Sequence, residues 1–225
     1  MTVTPPAGEP AAGPWRRATV AELLDLVLEC AGRPAGRPAI VAIDGRGASG
    51  KSTLADRLHR RVPCSAVIRT DDLAWHEPLF GWGRLLEETL RPLREGRALD
   101  CRPPAWEAKG REGTIAVPAG LDLVLVEGTG ASQREHANLI DATVWVQADF
   151  AESERRGLER DIASGVNGDA EAATAFWHDW MAEELRFLAR QRPWERACAI
   201  VNGTPDEPLA DGLVEIAPPP TAGAT

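Results

Sequence analysis

Four residues in a fixed spacing carry the first chemical signal. In DGRGASGKST, residues 44 to 53, Gly45, Gly50, Lys51 and Ser52 fit G-x-x-x-x-G-K-S/T directly after the apolar run Ala39 to Ile43. Glycines let a backbone curl closely enough to aim successive N–H groups at phosphate oxygens, and the positive end of the following helix attracts the same anion. The loop Arg46, Gly47, Ala48, Ser49, Gly50 would cradle the phosphates, with Lys51 reaching the terminal ones and Ser52, next to Thr53, placed for a magnesium ion. Lysine occurs only at 51 and 109 in 225 residues, so its presence in this slot is informative.

Carboxylates follow at two other strand-like ends. RTDDLAW, residues 69 to 75, puts Asp71 and Asp72 after the run Ser65 to Ile68, where open α/β sheets bind ligands. With a phosphate loop upstream, one of the two is expected to be a base for a hydroxyl group, because such an acceptor needs a carboxylate within hydrogen-bonding reach. Extended geometry would point the pair in different directions, with Trp75 close behind. Glu127 ends the run Leu121 to Val126, and an acid at a buried strand tip is costly unless it serves a metal or a hydrogen-bond network. It is the candidate carboxylate near magnesium, through water. CRPPAWEAKGREG, residues 101 to 113, reads as an irregular segment that could wrap a substrate, with Trp106 stacking on a ring and Glu107, Lys109 or Arg111 making polar contacts. The alternative is a surface loop pinned by a partly buried tryptophan. Arg156 and Arg160 in ESERRGLERD are four apart on one helical face, and either arm a mobile lid or pair with the neighbouring acids.

The positioning elements follow from pattern. Thr19 and Glu22 form a capping box ahead of the stripe Val20, Leu23, Leu24, Val27, Leu28, and Gly32 with Pro34 ends that helix. Strands are expected at 39–43, 65–68, 121–126, 142–146 and 197–201, with a small extended piece at 114–117. Helical segments between them imply an α/β fold with a mostly parallel sheet covered by helices on both faces. A short helix around Leu85 to Leu90 is expected to break at Pro92 and Gly96. Phe176, Trp177, Trp180, Met181, Leu185 and Leu188 read as a core-facing stripe. Residues 1–17 and 216–225, rich in Pro, Ala and Gly, are expected to be loose tails around one domain, 18–215. The net charge of -9 disfavours nonspecific binding to nucleic acid or an anionic membrane surface. Four scattered cysteines without C-x-x-C spacing read as reduced, cytoplasmic thiols.

Taken in order, DGRGASGKSTLADRL, RTDDLAW, RPPAWEAKGREG, LVLVEGTGAS and RRGLERD resemble the uridine kinase and phosphoribulokinase family of P-loop kinases, over roughly residues 38 to 203. The resemblance implies a P-loop NTPase fold with a five-stranded parallel sheet, ATP and Mg2+ as cofactors, a substrate segment at about 76–113 and a helical lid at about 152–168. It assigns hydroxyl activation to Asp71, with Asp72 the lesser claimant, and matches Glu127 to the family's strand-end acid and Arg156 and Arg160 to lid arginines. Where the family's pyrimidine kinases carry a Tyr-Asp pair and then a His, this chain has Trp106 and Glu107, and no tyrosine anywhere. The expected partner is a small nucleoside-like acceptor, with another hydroxylated metabolite (pantothenate, a sugar or a sugar phosphate) as the alternative. A nucleotide-binding module without an acceptor is the third reading. No nucleic acid and no membrane are expected as partners, and a homo-oligomer is left open.

Overall fold

A computed structural model describes residues 3–220. In chain order the strands are β1 (Arg16–Thr19), β2 (Ala39–Gly45), β3 (Ser65–Arg69), β4 (Leu99–Cys101), β5 (Ile115–Val117), β6 (Leu123–Glu127), β7 (Ala142–Gln147), β8 (Ala199–Asn202) and β9 (Leu213–Ala217). The helices are α1 (Val20–Ala31), α2 (Lys51–His59), α3 (Thr70–Ala74), α4 (Gly83–Arg94), α5 (Pro104–Ala108), α6 (Phe150–Ser164) and α7 (Ala170–Gln191).

The five expected strands form the parallel heart of the sheet, in the order β8-β7-β2-β6-β3. All of β2 is buried, as a strand covered on both faces must be. Its alternate residues serve opposite layers. Val41 and Ile43 pack with Leu23, Val27, Leu54 and Leu58 of α1 and α2, while Ile40 and Ala42 pack with Leu86 and Leu90 of α4. The capping box opens α1, since Thr19 Oγ1 accepts from Glu22 N–H and the Glu22 carboxylate accepts from Thr19 N–H.

Sheet size and both tails differ from expectation. Two antiparallel strands, β9 and then β1, extend the sheet to seven. The segment expected to be loose over 1–17 is therefore partly a strand, and ahead of it Val3, Glu9 and Ala12 are buried. Glu9 accepts hydrogen bonds from Trp145 Nε1 (2.7 Å) and Gln147 Nε2 (2.9 Å), and Gln147 in turn accepts from Ala12 N–H. At the other end Ile216 and Ala217 belong to β9, and residues 221–225 lie outside the described residues. Composition hid both pieces, because strands this short carry no periodicity to read. Helix α4 also runs through Pro92 to Arg94. Its buried face of Leu85, Leu86, Leu90 and Leu93 outweighs one missing N–H donor near the helix end. Among the described residues no helix is long and apolar enough to cross a membrane.

Candidate active site

The loop between β2 and α2 is built so that no side chain can enter it from the strand side. A Cβ on Gly45 would lie 2.7 Å from the Val146 carbonyl oxygen and 2.8 Å from Ser49 Oγ. Gly50 has φ 97° at the head of α2, where no side-chain cap competes for the helix amides. Ala48 adopts φ 56°, a strained value for a residue with a Cβ, held by the turn on either side. Lys51 Nζ donates to the Arg46 carbonyl at 2.6 Å, which anchors the ammonium under the loop. Ser49 Oγ is buried without a partner. A narrow cradle, an orphaned buried hydroxyl and a helix N-terminus fit a polyphosphate.

Glu127 stands against this loop at the tip of β6, 5% exposed. Its Oε1 accepts from Ser52 Oγ at 3.2 Å, and its Oε2 accepts from Arg69 Nη1 at 2.8 Å. Two hard oxygen donors beside a phosphate cradle suit Mg2+. Arg69 also reaches Asp56 at 2.9 Å, so one guanidinium braces α2 and β6 together. Asp44, fully buried, ties the loop's entrance to the turn after β6 by accepting from Gly45, Gly130 and Ser132 N–H and from Ser132 Oγ. Burial pushes its carboxyl up from 3.8, against those four donors. A Cβ on Gly128 would meet Thr70 Oγ1 at 1.7 Å, so that turn presses directly on the start of α3.

Residues 70–74 are helical rather than extended, so Asp71 and Asp72 leave a helical first turn in different directions. Asp71 lines a cavity of about 390 Å3 that it shares with loop residues 47–52 and Glu127. It makes no hydrogen bond or ion pair among the described residues. Asp72 is tied to Arg111 and lies off that cavity.

The 101–113 segment is more ordered than its sequence suggests, and faces elsewhere. It runs from β4 through α5 towards β5, which pairs with β4. Trp106 is 5% exposed, donates from Nε1 to the Asp72 carbonyl at 2.8 Å, and carries the Arg111 guanidinium 3.6 Å from its ring centre. Its ring is therefore covered and not free to stack on a substrate. Glu107 and Lys109 are exposed on the outer surface, and neither they nor Trp106 and Arg111 line the cavity. Of the five residues expected at the substrate (Asp71, Trp75, Trp106, Glu107, Arg111), Asp71 and Trp75 line the cavity. The reason is steric: an indole whose N–H finds a backbone partner and whose face finds a guanidinium packs better inside.

The two lid arginines separate. Arg160 pairs with Asp161 and lines the cavity with Asp71. Arg156 pairs with Glu152, donates to the Gly203 carbonyl at 2.9 Å and lines a neighbouring cavity of about 210 Å3 with Thr53, Arg57 and Asn202. Gly50 borders both cavities. Helix α7 closes over the loop. Trp177 and Trp180 abut Gly47, and Phe176, with Trp180, lines the cavity, so this part of the expected core stripe faces the site.

Arg46 can offer the cradle its backbone alone. Its side chain is 4% exposed, paired with Glu9 at 2.9 Å and Glu184 at 3.4 Å, which leaves only its backbone for a ligand. Glu184 also accepts from Gly47 N–H at 2.7 Å, and burial raises its carboxyl above the ordinary value while Arg46 and that amide oppose the shift. Glu184, Glu9, Asp44 and Arg69 are the residues that sequence reasoning missed. Glu184 had a signal, an acid on the buried face of an apolar helix. Glu9 had none.

No family model matches the chain, and no curated protein matches it. Solved structures do. A structure from Silicibacter sp. TM1040, described as a candidate fructose transport system kinase, is 20% identical, with 77% of this chain and 95% of that one covered and a TM-score of 0.55. D-glycerate 3-kinase from Cryptococcus neoformans var. grubii is 15% identical over 82% of this chain and 95% of its own, with a TM-score of 0.52. A candidate uridine kinase from Bacillus stearothermophilus is 19% identical, covers 80% and 98%, and reaches a TM-score of 0.47. The first two show that this chain has the fold of P-loop kinases, as its motifs led one to expect. At such identities the likeness concerns the fold alone.

Proposed function

We propose that this protein is a small-molecule kinase that uses ATP and Mg2+ to phosphorylate a hydroxyl group, with a nucleoside as the leading acceptor. The observation that carries the reading is Asp71: a carboxylate without a partner among the described residues, facing the cavity that the phosphate cradle and the Ser52–Glu127 pair also line. A binding module has no need of a free acid there, whereas an acceptor hydroxyl does.

ATP would supply the γ-phosphoryl group, and Mg2+ would balance charge on its phosphates. The loop amides of residues 46–51, apart from those of Gly47 and Ser49 that Glu184 and the Arg46 carbonyl already take, would hold and orient the phosphates with Lys51, and Ser52 and Glu127 would hold the metal. Asp71 takes the acceptor's proton on a carboxylate oxygen. Arg160 lends positive charge at the cavity, and Trp177 and Trp180 shield the loop from water. Positioning and electrostatics carry most of the barrier reduction, since phosphoryl transfer asks little covalent chemistry of the protein. A guanine-nucleotide switch is disfavoured, because β8 runs into Asn202-Gly203-Thr204 and not into the Asn-Lys-x-Asp guanine-reading motif.

The test is ADP release from ATP and Mg2+ across a panel of acceptors, with Asp71→Asn beside the wild type. Turnover is expected to fall about 10²–10⁴-fold with ATP affinity kept. Full turnover in Asp71→Asn would remove its role, and a panel in which no acceptor raises ADP release would leave a nucleotide-binding module.

A further inference from the structure

The acceptor side of the cavity selects by charge, an inference that rests on the kinase reading above. Three carboxylates line this space, Asp71, Glu127 and Asp161; Glu127 is paired with Arg69 and Asp161 with Arg160, which leaves Asp71 as the one without an ion pair among the described residues. Only two cations line it, Lys51 and Arg160. Lys51 belongs to the phosphate cradle, held by the Arg46 carbonyl, and Arg160 is paired with Asp161. The nearest arginines outside the lining are also engaged. Arg111 is bound to Asp72 and stacked on Trp106, and Arg69 is bound to Glu127 and Asp56. Once a triphosphate takes the cradle, no cation remains for an anionic group on the second substrate. A phosphate or carboxylate there would meet the like charge of the triphosphate and of Asp71, and that repulsion discriminates against it.

The wall offers aromatic surface instead. Trp75, Phe176 and Trp180 all line the cavity, and Phe176 is 45% exposed. Trp180 is backed by Phe80 at 5.1 Å between ring centres, and Phe80 by Phe187 at 4.1 Å, which holds the indole in place. Trp75 is buttressed by His76 at 4.4 Å and by Arg111 at 5.3 Å. Rigid indoles present flat apolar faces at low entropic cost.

We propose that the acceptor is an uncharged hydroxyl compound with a flat face, stacked by Trp75 and the Phe176–Trp180 face of α7, and that acceptors bearing phosphate or carboxylate are rejected. The 101–113 segment, sealed by Trp106, takes no part in stacking.

Matched alcohols test this on the full-length protein with ATP and Mg2+: glycerol with glycerate, pantothenol with pantothenate, ribulose with ribulose 5-phosphate, uridine and cytidine as flat-faced neutral compounds, and fructose as a neutral compound without a planar ring. ADP release is expected to favour each neutral member over its charged partner by about tenfold or more, with the flat-faced compounds ahead of glycerol. Trp75→Ala should raise the acceptor KM about tenfold while Trp75→Phe restores most of it, with ATP Kd within about twofold in both. Preference for a charged partner, or an unchanged acceptor KM in Trp75→Ala, overturns the proposal while leaving a kinase. Silence across the whole panel with ATP still bound overturns the kinase reading, and this inference with it.

Discussion

Glu127 serves two masters at once, and that division can be measured. One oxygen faces Ser52 and the other is held by Arg69. In Glu127→Gln one of those oxygens becomes an amide donor, facing either the hydroxyl proposed to bind metal or a guanidinium that cannot accept. The Mg2+ concentration for half-maximal ADP release is expected to rise about 10–100-fold, the usual cost of disturbing groups around a metal. An unchanged Mg2+ titration would remove Glu127 from the metal's surroundings. The same scale shows why Asp71 and Asp72 could not be told apart from sequence. Adjacent acids are alike in composition, and the discriminating partner, Arg111, lies 39 residues beyond Asp72.

At the scale of elements, α6, where a lid was expected, meets α7 most tightly at one glycine. A Cβ on Gly157 of α6 would lie 2.0 Å from the Trp177 ring of α7, closer than any relaxation of a single rotamer relieves. Gly157→Ala should therefore destabilise the fold by roughly 1–3 kcal/mol in urea denaturation, as overpacking does. A loss below a few tenths would mean that α6 and α7 move apart freely. Helix α6 also carries a pH-dependent contribution. Arg155 holds the Glu152 carboxyl down to about 2 from an ordinary 4.5, with burial opposing and Arg156 adding to the effect. A depressed carboxyl stabilises above the unfolded value, so this contribution is complete above pH 4.5 and drains away towards pH 2. Solvent screening keeps it below about 1 kcal/mol. Urea melts at pH 5 and pH 3 should show a smaller acid loss in Glu152→Gln than in the wild type, and equal losses would contradict the pairing.

Across the whole molecule, the least patterned segment supports the most patterned one. Glu9 reaches the phosphate loop through Arg46 and the sheet through Trp145 and Gln147, and all of these side chains are buried. Glu9→Ala removes the acceptor for three donors, Arg46 Nε, Trp145 Nε1 and Gln147 Nε2, and halves the charge opposite Arg46. It should cost about 3–5 kcal/mol of folding stability by chemical denaturation, the range for a broken buried pair. A change under about 0.5 kcal/mol would show that residues 3–12 merely rest on the surface. By itself the sequence determined the parallel strands, the phosphate loop and the three acids beyond it. Those features are written in local pattern, in runs of apolar residues and in spacings set by one turn of backbone. Only the tertiary structure decided which aspartate is free, that Trp106 is sealed while Trp75 is open, and that Glu9 and Glu184 flank Arg46. Each of these depends on partners brought from distant parts of the chain, and a burial or an ion pair formed across such a gap leaves no period in the sequence.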